Sequence, residues 1–216
     1  MSIEAKLGLL AVVSYFLGSV PFGLIVGKLK GIDPRTAGSG NIGATNVGRL
    51  LGGKFFALVF TLDLLKGLIP MLVAAWLVHG IPDDAKPYLM WMLVGAGSIL
   101  GHLFPLYLKF KGGKGVATSA GVLLGLWPFY TLPGVVVVVL FLVVYLITRT
   151  VSIGSIIGAA GFPLAYVAVG LAMKWPIFDK QLPLLVFAVL VALMIVWKHR
   201  SNIQRLLSGT ENSFKK

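Results

Sequence analysis

Runs of about 20 mainly apolar residues, the length a helix needs to cross a bilayer, recur from one end of this chain to the other. They read as Leu7–Val26, Phe55–Val78, Tyr88–Leu108, Val116–Tyr130, Thr131–Thr148, Ser152–Met173 and Pro183–Trp197. No polar segment between them is long enough for a separate water-soluble domain. Only 12% of the 216 residues are charged, against about a quarter in soluble domains. Such a chain cannot cover its surface with polar groups, so lipid must be most of its solvent. The expected architecture is all-α: one polytopic membrane domain over residues 1–216, with about seven transmembrane helices. The fourth run is short and Pro128 and Pro133 bracket its end, which predicts a tight hairpin into the fifth. Leu7–Val26 is too long for a signal-peptide core and has no basic segment before it, so it is read as a retained helix.

Cations fix the expected orientation, because short cytoplasmic loops collect Lys and Arg. With the N-terminus outside, the cytoplasmic face receives Lys28, Lys30, Arg35, Arg49, Lys54, Lys109, Lys111, Lys114, Arg149, Lys198, Arg200, Arg205, Lys215 and Lys216. The other face keeps Lys6, Lys86, Lys174 and Lys180, and Lys66 lies inside the second helix. Fourteen against four puts the C-terminus in the cytoplasm.

The formal charge is +12, which suits nucleic acid, anionic headgroups or phosphorylated substrates. No module interleaving aromatic and basic residues is visible, so nucleic acid is not expected as a partner. The absence of cysteine excludes disulfides and thiolate catalysis. The histidines, His79, His102 and His199, lack metal-ligand spacing, and neither a metal nor a cofactor is expected. "GSIIG" at Gly154–Gly158 is read as close helix packing ahead of a dimer interface. Nothing in the pattern sets an oligomeric state.

Chemistry concentrates in three polar segments. The first, "AGSGNIGATNVGR" at Ala37–Arg49, carries G-x-G-x-x-G at Gly38, Gly40 and Gly43, with Asp63 twenty residues on. In a βαβ unit that would be a dinucleotide fingerprint. Here it follows a membrane helix, no βαβ pattern exists, and Asp63 lies within the second span, so the nicotinamide reading fails. What survives is local: glycines let backbone N–H groups crowd an anion, and a helix N-terminus adds positive potential. The second segment, "KFKGGKGVATSAG", packs Lys109, Lys111 and Lys114 around Gly112, Gly113 and Gly115. Gly115 after Lys114 breaks the Walker A pattern, so ATP hydrolysis is unsupported. The third, "KHRSNIQRLLSGTE", leaves the last span with His199, Arg200, Asn202 and Arg205. The topology puts all three on one membrane face, as a pocket for phosphate groups beside apolar walls that suit an acyl chain.

At these residues the sequence resembles the PlsY family, the bacterial acyl-phosphate:glycerol-3-phosphate acyltransferases. "GSGNIGATNVGR", "GHLFPLYLKFKGGKGVATSAG" and "HRSNIQRLLSGTE" look like its three cytoplasmic motifs, in the right order and after the right helices. "LDLLKG" at Leu62–Gly67 looks like the family's second-helix sequence. The resemblance covers essentially the whole chain. It implies transfer of a fatty acyl group from acyl phosphate to the 1-hydroxyl of glycerol 3-phosphate, yielding lysophosphatidic acid and inorganic phosphate, in the bacterial cytoplasmic membrane. It implies Ser39, Arg49, a motif-two lysine, His199 and Asn202 as the site. Lys111 and Lys114, which flank the glycines, are favoured over Lys109.

Within that reading, Arg49 suits bidentate phosphate recognition and the lysines supply point charges. Ser39 and Asn202 can hydrogen-bond substrate oxygens. Candidate phosphate contacts are Gly38, Gly40, Asn41, Gly43, Thr45 and Asn46 from the first segment. The second adds Lys109, Gly112, Gly113, Gly115 and Thr118, and the third Arg200 and Arg205. Acyl phosphate is already activated, so direct attack by the substrate hydroxyl needs positioning more than a strong base, with a phosphate oxygen or His199 taking the proton.

Bland readings compete elsewhere. Asp63 and Lys66 form either a mutual ion pair or a support for the pocket, and His102 reads as a packing histidine. His79 and Asp84 spell the H-x-x-x-x-D of acyl-CoA-dependent acyltransferases, but across the membrane from every basic cluster, so chance is preferred. Lys215 and Lys216 read as tail anchors. The competing function is a small phosphate-ester transporter, which would need more mid-membrane polar groups and mirrored halves than this chain has. A purely structural lipid-binding scaffold would not need two glycine–cation loops.

Overall fold

The computed structural model describes residues 1–78 and 85–212; His79, Asp84, Lys215 and Lys216 lie outside them. Every described element is helical: α1 (Ile3–Ser19), α2 (Phe22–Leu29), α3 (Ala44–Leu51), α4 (Gly53–Val78), α5 (Ala85–Leu103), α6 (Val116–Gly125), α7 (Thr131–Thr148), α8 (Val151–Ala172), α9 (Leu182–Lys198) and α10 (Arg200–Leu207). A 3₁₀ turn follows α5 at Leu106–Leu108. Five segments are long and apolar enough to cross a bilayer: Ile3–Leu29, Gly53–Val78, Tyr88–Leu108, Thr131–Thr148 and Val151–Ala172. α9 and α10, bent by 54° at His199, make a sixth if they are counted as one span. Outward side chains such as Leu9, Val12, Phe16, Val135, Val139 and Leu193 are exposed, which water would penalise and lipid does not.

Two differences from the expected spans have local causes. The first run is not one helix: it breaks at Val20 and Pro21. Proline has no N–H to donate and pushes the residue before it into extended backbone, and Val20 is extended at φ −61°, ψ 117°. The run stays apolar across the break, so composition hides it. The fourth run is helical only over ten residues, Val116–Gly125, about 15 Å at the rise of an α-helix and half of a hydrocarbon core. Turns occupy 126–130, where Pro128 cannot continue a helix.

The helices gather into two compact units. The first holds α1–α4, most of α5, and α6. Its contacts depend on missing side chains. A Cβ on Gly67 or Gly121 would lie 2.2 or 2.0 Å from the carbonyl oxygens of Thr118 and Leu64, so α4 and α6 touch backbone to backbone. Glycine at such a crossing replaces the hydrophobic drive that lipid removes. Gly18, Gly97 and Gly101 bring α1 and α5 together in the same way. Under α3, Val26, Ala44, Val47 and Val59 form a small core, flanked by Leu51, Phe55, Phe56 and Phe60.

In the second unit, α7–α10, Tyr130 and Tyr166 are fully buried. Each hydroxyl finds a partner, Tyr130 on the Leu184 carbonyl and Tyr166 on Gln181 Oε1 at 2.9 Å. Gly154 and Gly158 face Phe141 and Val137 of α7, so "GSIIG" packs one helix of the chain on another.

Candidate active site

In the first segment, the loop before α3 is built around one amide. Asn46 is 2% exposed. Its Oδ1 accepts the Ser39 N–H at 2.8 Å, and its Nδ2 faces the carbonyls of Pro34, Ala37 and Asn41 at 2.9, 3.1 and 2.8 Å. Gly38 and Gly40 sit at φ +61° and +70°, a region that side chains penalise. A Cβ on Gly38 would also lie 2.3 Å from Asn46 Oδ1. Asn41 Oδ1 accepts the Gly43 N–H at 2.8 Å, a local turn that delivers the chain into α3. Gly43 caps that helix in extended conformation. Ala44 and Val47 go into the core while Thr45 and Arg49 stay half-buried.

Asp33, the carboxylate nearest this loop in sequence, is held by the Arg35 guanidinium. That hydrogen-bonded pairing pulls Asp33 down to about 2, so the acid stays ionised and paired.

The second segment lies directly on the end of α5. The Gly113 N–H donates to the His102 carbonyl at 3.1 Å. A Cβ on Gly112 would lie 2.1 Å from that carbonyl oxygen, and one on Gly113 2.1 Å from His102 Nε2. Only glycine fits at either position. Lys109 and Phe110 turn left-handed at φ 50° and 62°, uncommon for residues with side chains and worth notice beside a candidate site. Lys109 and Lys111 are exposed, Lys114 is half-buried, and Gly115 leads into α6. Thr118 is fully buried, in the crossing of α6 with α4 rather than on the loop.

A narrow cleft is lined by Ile42 of the first segment and by His102 and Pro105, which precede the second, together with Gly23, Asp63 and Lys66. Lys66 Nζ lies 2.8 Å from Asp63 Oδ1 and donates to the Val20 carbonyl at 2.9 Å. His102 Nδ1 lies 3.6 Å from the same carboxylate oxygen. Asp63 and Lys66 are therefore an ion pair, as one of the two readings expected, with a third member the sequence did not announce.

The third segment closes on a carboxylate. Glu211 Oε1 accepts from Asn202 Nδ2 at 2.6 Å and from Ser152 Oγ at 2.8 Å, while Oε2 accepts from Arg205 Nε at 2.7 Å. Burial alone would raise the Glu211 pKa, but the donors Asn202, Ser152 and Arg205 hold it below the usual carboxylate value. His199, 3% exposed, sits at the elbow of α9 and α10. Its Nδ1 lies 2.8 Å from the Ile195 carbonyl. A carbonyl can only accept, so Nδ1 carries a proton, and in the neutral form of the ring Nε2 is the nitrogen left as an acceptor. Arg200 turns to the Trp197 ring, 4.5 Å from its centroid.

Ser152 and Glu211 are the members of this constellation that sequence reasoning did not place. Glu211 closes the third segment, a usable signal; Ser152, 59 residues away, left none.

This chain is similar throughout to known proteins. The family model described as glycerol-3-phosphate acyltransferase matches residues 8–209. The chain belongs to the glycerol-3-phosphate acyltransferase family. A family member from Trichlorobacter lovleyi is 46% identical over 203 residues, covering 94% of each chain. Two crystal structures of PlsY, described as an integral membrane glycerol 3-phosphate acyltransferase, are each 38% identical over 97% of this chain and 96% of theirs. The glycerol 3-phosphate form superposes with a TM-score of 0.82 and the lysophosphatidic acid form with 0.80. The acyltransferase fold of this family is thus an integral membrane one, and the present chain is a multi-pass membrane protein.

Proposed function

We propose that this protein acylates glycerol 3-phosphate, taking a fatty acyl group from acyl phosphate and releasing lysophosphatidic acid and inorganic phosphate. The observation that carries the reading is the near full-length likeness to PlsY, whose two structures are named for glycerol 3-phosphate and lysophosphatidic acid. The residues support it: two glycine segments with lysines and an arginine suit two phosphorylated substrates, and no thiol is present to carry an acyl group.

The chain runs in the bacterial cytoplasmic membrane with its N-terminus outside and its C-terminus inside, as the lysine and arginine bias supports. α6 with the turns after it counts as the short seventh span. All three polar segments then face the cytoplasm. Ser39, Arg49, Lys111 and Lys114 gather phosphate charge, helped by the amides of Gly38–Gly43 and Gly112–Gly115. Lys109, Arg205, Asn41, Thr45 and Asn202 add hydrogen bonds or charge around the same substrates.

In the reaction the 1-hydroxyl oxygen attacks the acyl carbonyl carbon. The new ester C–O bond forms as the carbonyl's bond to the phosphate oxygen breaks. Phosphate leaves with the electron pair, and the hydroxyl proton passes to a phosphate oxygen or to Nε2 of His199. Lowering the barrier is chiefly positioning and neutralisation of charge.

Purified protein in detergent, given glycerol 3-phosphate with either acyl phosphate or acyl-CoA, tests both substrate and donor. Phosphate release that needs both substrates, with ester formed from acyl phosphate and not from acyl-CoA, is the expected result. Ester from acyl-CoA refutes the donor assignment. Uptake of a phosphate ester into vesicles without new ester would favour a transporter.

A further inference from the structure

Charged groups inside hydrocarbon are costly and persist where they pair or serve a function. Asp63 and Lys66, 3% exposed each, could neutralise one another on α4 alone, being one helical turn apart. They do more. Lys66 Nζ also donates to the Val20 carbonyl, which the break at Pro21 releases from any α-helical partner. Asp63 Oδ1 also faces His102 Nδ1 on α5. One ion pair therefore bridges three elements: the break between α1 and α2, α4, and the end of α5.

Each outer contact abuts a glycine segment. Just past the break, Gly23 packs so closely on the Ile42 carbonyl of the first segment that a Cβ there would lie 1.8 Å from it. At the other end, the His102 ring lies under Gly113, and its carbonyl holds the Gly113 N–H.

We propose that Lys66, Asp63 and His102 are positioning residues, a buried strut that keeps the Gly112–Gly115 loop in register with the Ser39–Gly43 loop. The strut rests on the proposed function only in this: the two loops hold the phosphate of glycerol 3-phosphate. In this role the three act on the loops and not on substrate. Their effect reaches Lys111 and Lys114 through the backbone of Gly112 and Gly113.

A purely structural ion pair and a positioning strut differ in what its removal changes. Replacing a buried pair by apolar residues of similar size is often neutral or stabilising, so the double variant Asp63→Leu/Lys66→Met is expected to melt at or above the temperature of the parent. Loop placement should nevertheless loosen. The chain has no cysteine, so Thr36→Cys and Phe110→Cys, both exposed and outside the proposed machinery, accept a spin-label pair. The expected distance distribution between them broadens in the double variant. KM for glycerol 3-phosphate rises about tenfold with kcat little changed, in line with the sensitivity of reactions to small misplacements. His102→Leu should reproduce both effects, and His102→Asn, which keeps a nitrogen near the Nδ1 position, should restore both.

A parent-like label distribution in the double variant overturns the strut. So does a lowered melting temperature with KM unchanged. If the parent forms no ester from either donor, the proposed function fails instead, and the label distances still decide the strut.

Discussion

The Asn46 side-chain oxygen accepts the Ser39 backbone N–H at 2.8 Å. A residue that looks in sequence like a phosphate ligand is thus occupied in holding the loop that carries Ser39. Its amide satisfies backbone groups that would otherwise be buried unpaired, each costing about 1–3 kcal/mol.

Asn46→Ala is therefore expected to destabilise the fold by about 2–3 kcal/mol and to cut activity severely, because Ser39 loses its anchor. Asn46→Asp keeps the acceptor for Ser39 and loses the donors to Pro34, Ala37 and Asn41. It should fall between parent and Ala in thermal unfolding. Equal melting temperatures for all three proteins would show that the amide is not the loop's keystone.

The carboxylate of Glu211 sets an acid limit. Its folded pKa lies below the ordinary value of 4.5, so its contribution to stability is fully present above about pH 4.5 and is lost as pH falls through the lower folded value. Glu211→Gln should flatten that acid-side decline. It should be less stable than the parent at neutral pH, where the ion pair with Arg205 is lost. Melting curves from pH 7 to pH 3 check both signs.

In the version of the proposed reaction where Nε2 of His199 takes the hydroxyl proton, His199→Ala should lower kcat by at least about 100-fold, at the lower end of what a positioned general base contributes. Near-normal turnover with unchanged pH dependence would leave a phosphate oxygen as the acceptor.

Among the motif-two lysines, Lys114 is half-buried while Lys109 and Lys111 are exposed. Charge in a partly dry environment is less screened. Lys114→Gln should therefore raise KM for glycerol 3-phosphate more than Lys111→Gln, and Lys109→Gln least. Initial-rate kinetics at two ionic strengths would order them, with the exposed pair losing their effect first as salt rises.

Gly67→Ala probes the α4–α6 crossing. Its Cβ would meet the Thr118 carbonyl at 2.2 Å, and the backbone shift that relieves such overpacking costs about 1–3 kcal/mol. Gly8→Ala, with open space around it, is the control and should be silent in the same thermal assay.

The apolar runs made a membrane-spanning helical chain legible, because twenty uncharged residues have few other uses. Pro21 also stood in plain view, yet the flanking residues are as greasy as those of an unbroken helix, so the run read as one helix. The i,i+3 spacing of Asp63 and Lys66 announced a pair. Nothing in the local pattern announced Val20 and His102, since those contacts are made by chain brought in from elsewhere. Glycine clusters singled out two loops, but they could not say that Gly112 and Gly113 are required by the end of α5. Asn46 could have faced outward or inward, and only the path of the loop decides that. Ser152 met Glu211 through tertiary packing alone.

The 54° elbow at His199 has a further consequence. α10 takes its heading from wherever α9 stops, and each residue added to a helix rotates the chain beyond it by about 100°. Exchange of one oily residue for another along α9 should leave Asn202 and Arg205 aimed at Glu211, whereas a single insertion would swing both away. For this stretch of the protein, drift in spelling is tolerable and drift in length is not.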